Sequence, residues 1–118
     1  MAARLNYVEL PVRDAAGSKI FFERAFGWSL TAFGPDYAAT LDAGAGGTAD
    51  IGLNGHVADS GAAPLAAIGV DDLEAALSSV EMAGGAITRP IFAFPGGRRF
   101  HFREPSGNEL AVYVNEPG

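Results

Sequence analysis

Few side chains in this sequence are able to do chemistry, and their types limit which chemistry is open. The chain of 118 residues has no cysteine, which removes disulfides, thiolate metal sites, iron–sulfur clusters and cysteine nucleophiles together. It has two histidines, His56 and His101. A serine triad would have to use one of them, and no G-x-S-x-G, H-E-x-x-H or G-x-x-x-x-G-K-[ST] run is present. His56 lies in a polar, glycine-rich stretch and reads as a solvated loop side chain. His101 stands between Phe100 and Phe102 in a β-type run, so alternation turns it away from both rings. If the phenylalanines meet a helix, His101 faces the other side of its sheet, where a plain histidine and a functional one fit equally well. Gly44-Ala45-Gly46-Gly47-Thr48-Ala49 formally matches a G-x-G-x-x-A dinucleotide fingerprint. That motif needs a helix next, with its N–H groups turned to the pyrophosphate. Ala49-Asp50-Ile51-Gly52-Leu53 alternates as a strand instead, so the run reads as a glycine-rich hairpin.

Bulk properties narrow the partners. Eight basic residues against fourteen acidic ones give a net charge of −6, and Arg98-Arg99 is the one basic cluster. Such a chain repels phosphate backbones, so nucleic acid is not an expected partner. No apolar run approaches the ~20 residues of a membrane span, and no membrane association is expected. Residues 1–10 show no basic stretch leading into an apolar one, so the expectation is a soluble cytoplasmic protein. With 48% hydrophobic and 19% charged residues, the sequence predicts one packed domain rather than a disordered chain.

The elements that must position these side chains are written twice. Ile68, Val70, Asp72 and Gly85 each follow Leu10, Val12, Asp14 and Gly27 by 58 residues. Each copy opens with a short β-type run, passes an acidic residue and enters a helical pattern closed by glycine. Ser18, Phe21, Phe22, Ala25 and Phe26 recur with helical spacing and predict one buried face; Leu73, Ala76, Leu77 and Val80 do the same in the second copy. Asp14 is placed to cap the first helix, and Asp71 with Glu74 has capping-box spacing for the second. Gly27 and Gly84-Gly85 supply the stops. Three strand-like segments follow each helix: roughly residues 28–33, 37–41 and 49–54, then 86–94, 98–103 and 109–114. Gly34-Pro35-Asp36, Pro95-Gly96-Gly97 and Pro105-Ser106-Gly107-Asn108 separate them as turns. The pattern is βαβββ twice, an α+β class, with module 1 at residues 1–54, a connector at 55–64 and module 2 at 65–118.

Three strings carry a family resemblance: Tyr7-Val8-Glu9-Leu10-Pro11-Val12-Arg13-Asp14, Phe21-Phe22-Glu23-Arg24-Ala25-Phe26-Gly27-Trp28, and Arg103-Glu104-Pro105-Ser106-Gly107-Asn108-Glu109-Leu110. With the duplication, they resemble the vicinal oxygen chelate superfamily, which holds glyoxalases, bleomycin resistance proteins and dioxygenases. The resemblance implies two modules whose mixed sheets curl around an open cup. In catalytic members a divalent metal sits there as a Lewis acid, held by His, Glu or Gln from four strand positions. Carried onto this chain, those positions are Tyr7, Gly52, Leu65 and Ala111. Tyrosine is a rare ligand and the other three offer no donor side chain, so the resemblance implies no metal and no cofactor here, unless Glu9, His101 or Glu109 builds a substitute site.

Strand alternation from those positions puts Leu5, Tyr7 and Glu9, then Asp50, Gly52 and Asn54, then Leu65, Ala67 and Gly69, then Glu109, Ala111 and Tyr113 on the cup face. The other face carries Val8, Leu10 and Val12, then Ile51 and Leu53, then Leu110, Val112 and Val114, and should meet the helices. Tyr7 and Tyr113 read as stacking walls of a small-molecule cavity. Glu9 reads as a ligand-selecting carboxylate, or else as one held by a neighbouring Arg or Tyr. The ligand-binding set is therefore Tyr7, Glu9, Asp50, Gly52, Asn54, Leu65, His101, Glu109, Ala111 and Tyr113. The expected function is a metal-free small-molecule binding protein that sequesters an antibiotic or metabolite, forming a homodimer of the family type. The alternative is a lyase, isomerase or dioxygenase-type enzyme with a displaced metal site or Glu/His acid–base groups. A third reading has the face filled by its own side chains, as in a purely structural domain.

Overall fold

The computed structural model describes residues 2–41, 49–56 and 62–116. It has two βαβββ modules in an α+β arrangement: β1 (Ala3–Pro11), α1 (Ala15–Phe26), β2 (Thr31–Ala32), β3 (Tyr37–Ala39) and β4 (Asp50–Asn54), then β5 (Leu65–Val70), α2 (Leu73–Met82), β6 (Ala86–Phe94), β7 (Gly97–Arg103) and β8 (Glu109–Asn115). By contacts the chain divides into two compact units, Asn6–Leu65 and Ala66–Gly118, the latter joined by Met1–Leu5. The glycine-rich run from Gly44 to Gly47, with its hairpin reading, lies outside the described residues.

In the first module the strand order is β2-β3-β4-β1. β4 runs parallel to β1, with Tyr7 opposite Asp50, Glu9 opposite Gly52 and Pro11 opposite Asn54, and antiparallel to β3, with Tyr37 opposite Asn54 and Ala39 opposite Gly52. A parallel neighbour needs a crossover, which α1 supplies. Asp14 caps α1 by accepting from the Gly17 N–H, and Gly27 ends it at φ 71°, a left-handed stop that glycine adopts without Cβ strain. Behind this sheet Leu30, Ala38 and Leu53 are buried, packed by Leu10, Val12, Phe22, Trp28 and Ile51. Trp28 lies parallel on Phe22, ring centroids 5.6 Å apart. The expected helix face is too broad: Phe22 turns to this core while Phe21 and Phe26 are about 60% exposed. Twelve residues over a short-stranded sheet offer only a narrow contact stripe. Val8 is likewise exposed instead of joining Leu10 and Val12. The expected strand at 28–33 shrinks to Thr31–Ala32, because Trp28 and Leu30 are spent on core packing.

In the second module the order is β5-β8-β7-β6, with β5 parallel to β8 and the other pairs antiparallel. Leu73, Ala76, Leu77 and Val80 of α2 pack on Phe100, Phe102, Leu110, Val112 and Val114, as the spacing predicts. The cap, however, is Asp72, whose carboxylate accepts from the Ala75 N–H. Asp71 instead accepts from the Ala2 N–H. A capping box would need Glu74 to turn back to the cap, but Glu74 is committed to Arg98, which also binds Glu116. The repeat pairs Asp72 with Asp14, and that correspondence holds.

Among the described residues, no helix is long and apolar enough to cross a membrane.

Candidate functional site

The non-helical face of the first module is a hydrogen-bonded chain centred on a buried acid. Glu9, 5% exposed, accepts from the Tyr37 hydroxyl at 3.1 Å on one oxygen and from the Asn54 amide at 3.2 Å on the other. Asn54 is held in that sense because its own carbonyl oxygen accepts from the His56 backbone N–H at 2.9 Å. The Tyr7 and Tyr37 hydroxyl oxygens are 2.6 Å apart. Beneath them is Gly52, where any Cβ would overlap both hydroxyls. Glycine is required here by close approach, not by backbone angle. On the same strand Asp50 accepts from the buried Thr40 hydroxyl at 2.7 Å, and that hydroxyl oxygen in turn accepts from the Ile51 N–H.

The proton order in this chain is fixed by counting. Tyr37 has a single hydroxyl proton and gives it to Glu9, so the proton between the two phenols belongs to Tyr7. Burial first, and then the neighbouring Tyr7 and Glu9, push the Tyr37 phenol far above the ordinary tyrosine range. Tyr37 therefore stays a donor throughout the physiological range.

The corresponding face of the second module is built on an aromatic ring. The Arg89 guanidinium lies 3.7 Å from the Phe92 centroid and that of Arg99 5.2 Å from it, both within cation–π reach. The His101 ring stands edge-on to Phe92 at 5.7 Å. His101 Nδ1 is 4.0 Å from a Glu109 carboxylate oxygen, which accepts from the Thr88 hydroxyl at 2.6 Å. Ala111 is buried opposite His101 and Ala67, and Tyr113 is half-buried opposite Arg99 and Gly69. Leu65 opens β5, half-buried.

The structure thus joins Tyr7, Glu9, Gly52 and Asn54 in one network, with Asp50 beside it, and His101 with Glu109 and Ala111 in another. Sequence reasoning missed Tyr37 and Thr40 in the first and Arg89, Phe92 and Arg99 in the second. Phe92 and Arg89 lie in an irregular part of β6, where register shifts break simple alternation. The donor set required for a divalent ion does not fit the four positions carried over. Gly52, Leu65 and Ala111 have no donor atom, and the volume a ligating side chain would need at Gly52 is taken by two phenols. Among the described residues no group of three His, Asp or Glu side chains stands ready to hold a metal.

The family model for the Glyoxalase/Bleomycin resistance protein/Dioxygenase superfamily matches residues 4–112. The chain belongs to that superfamily. No curated protein matches it. Solved structures share the fold at low identity. A protein described as NAD-dependent benzaldehyde dehydrogenase from Legionella pneumophila is 15% identical with TM-score 0.77, covering 94% of this chain and 99% of that one. Methylmalonyl-CoA epimerase from Mycobacterium tuberculosis is 17% identical with TM-score 0.72, covering 99% and 93%. The Mn(II)-bound glyoxalase from Novosphingobium aromaticivorans is 22% identical with TM-score 0.64, covering 96% of this chain but 40% of that one. These structural neighbours are named for three different chemistries, so the shared fold does not select one of them.

Proposed function

We propose that this superfamily member is a small-molecule binding protein that works without a metal, with the Tyr7–Tyr37–Glu9 face as its contact surface. The observation that carries the reading is the pair of phenols over Gly52. Where the superfamily's metal ligand would project, this chain presents two hydrogen-bonding aromatic hydroxyls backed by a carboxylate. Such a surface combines aromatic area with a few oriented polar groups, the usual make-up of a small-molecule site. Both Glu9 oxygens receive internal donors, which favours a holding role over that of a general base.

Two measurements test this. Elemental analysis of protein prepared without chelator should find no stoichiometric Mn, Zn, Ni or Fe after dialysis, and a retained equivalent would overturn the metal-free reading. A thermal-shift screen of small aromatic compounds should return hits whose stabilisation is lost in Tyr7→Phe. Hits indifferent to that substitution would move the binding surface elsewhere.

A further inference from the structure

We propose that Asn54-Gly55 is a latent deamidation site: the folded first module conceals it, and opening of β4 converts Asn54 to aspartate or isoaspartate and disables the Tyr37–Glu9 face irreversibly. The inference goes beyond the binding role and holds whatever that face binds.

The chain has four asparagines, followed in turn by Tyr7, Gly55, Glu109 and Glu116. Of these followers Gly55 alone lacks the Cβ that hinders a backbone nitrogen from reaching the asparagine side chain before it. In the reaction that nitrogen, its proton taken by hydroxide, attacks the Asn54 carboxamide carbon. A bond from nitrogen to carbon forms, the bond from that carbon to Nδ2 breaks, and ammonia leaves with a proton drawn from water. Water then opens the five-membered imide at either carbonyl, giving aspartate or isoaspartate. The net change is one water consumed and one ammonia released.

The native fold opposes each part of this step. The Gly55 N–H donates to the Asp36 carbonyl at 2.7 Å, which holds the nucleophile's proton in place. Asn54, 3% exposed, donates from Nδ2 to Glu9 and accepts the His56 N–H on Oδ1, so the leaving group and the attacked carbonyl are both fixed. Its backbone is extended between Pro11 of β1 and Tyr37 of β3, and its carbonyl accepts from the Val12 N–H at 3.0 Å. Ring closure needs these bonds released together. A Cβ at position 55 would stand 3.2 Å from the Asp36 carbonyl oxygen, so close packing favours the same glycine that makes the pair labile. Once converted, the chain no longer fits its own fold. Aspartate has no amide donor and would set a second carboxylate within hydrogen-bond distance of buried Glu9. Isoaspartate lengthens the backbone at the end of β4 and disturbs its register.

The test incubates the full chain in mildly alkaline buffer, native and in denaturing urea, and follows each asparagine by peptide mass mapping. In urea, Asn54 should convert well ahead of Asn6, Asn108 and Asn115. In the native protein it should convert at least about ten-fold more slowly than in urea, the suppression that an opening free energy of only ~1.4 kcal/mol confers. Equal rates in the two states would overturn the concealment, and an Asn54 no faster than the other three in urea would overturn the latent site. Asn54→Asp reproduces the product and should lower the thermal midpoint. Adding Glu9→Gln, which restores a donor between the two side chains, should recover part of the loss. An Asn54→Asp midpoint equal to that of the wild-type protein, or no recovery in the double variant, would overturn the disabling consequence.

Discussion

Gly52 has no side chain, yet the arrangement of Tyr7, Tyr37 and Glu9 depends on it. Gly52→Ala drives a methyl group into two rigid phenols, which cannot give way without breaking their hydrogen bonds. We expect it to cost about 1–3 kcal/mol, read by denaturant unfolding. Tyr37 supplies a pH signature. Its folded phenol is raised above the unfolded value near ~10, so the stability it contributes is complete below that pH and declines as alkali ionises the unfolded chain first. Ultraviolet titration should show the Tyr37 phenol withheld from ionisation until the fold is lost, and Tyr37→Phe should lessen the alkaline decline. Glu9, Asn54 and Tyr7 were legible in the sequence because Leu10, Val12, Ile51 and Leu53 fix the parity of their strands. Tyr37 was not. Its register against Asn54 depends on the connection between β3 and β4, which contains the glycine-rich run, and no local pattern counts its residues into place.

At the level of elements the duplication read the structure better than the local motif did. The string Asp71-Asp72-Leu73-Glu74 satisfies a capping box from its first residue, yet the cap is its second, as the 58-residue correspondence with Asp14 requires. The box loses because Arg98 draws Glu74 away. Removing the side chain at the two positions separates the readings: Asp72→Ala should cost about 1 kcal/mol, as cap losses do, and Asp71→Ala markedly less. Equal effects in thermal melts would contradict the observed cap. Helix α2 showed its buried face in its spacing, whereas α1 did not, because aromatic residues surround more of it than the core can take up. Exposed Phe21 and Phe26 look apolar in any periodicity count, and only the packing of Phe22 and Trp28 tells which ring is inside.

Across the whole molecule the acidic residues set the response to acid. Hydrogen bonds and ion pairs hold Glu23, Glu74, Glu104 and Glu116 below the ordinary carboxylate range: chiefly the Leu30 N–H for Glu23, Arg98 for Glu74 and Glu116, and the Ser106 and Asn108 N–H groups for Glu104. Depressed acids stabilise the fold above their unfolded pKa, and that contribution is lost as pH falls through the folded values. Unfolding midpoints should therefore stay level from neutral pH to the ordinary carboxylate range and drop below it. Added salt should blunt the drop, since these groups are exposed. The modules also differ in the length of the strands that follow their helices. After α2 the second has strands of nine, seven and seven residues; after α1 the first has strands of two, three and five. Amide hydrogen exchange should accordingly be slowest in β7 and β8 and fastest in β2 and β3.

The parallel stack of Trp28 on Phe22 gives that difference an optical handle. Trp28 is the chain's single tryptophan, and its indole packs with the core of the first module, whose strands after the helix are the shorter ones. Its emission reports the opening of that half alone, whereas far-ultraviolet dichroism sums over both. Superimposable curves from the two signals would mean that the duplicated halves melt as one cooperative body. An emission change that runs ahead of the dichroism would mean that the protein loosens around its phenol face while the other half stays folded.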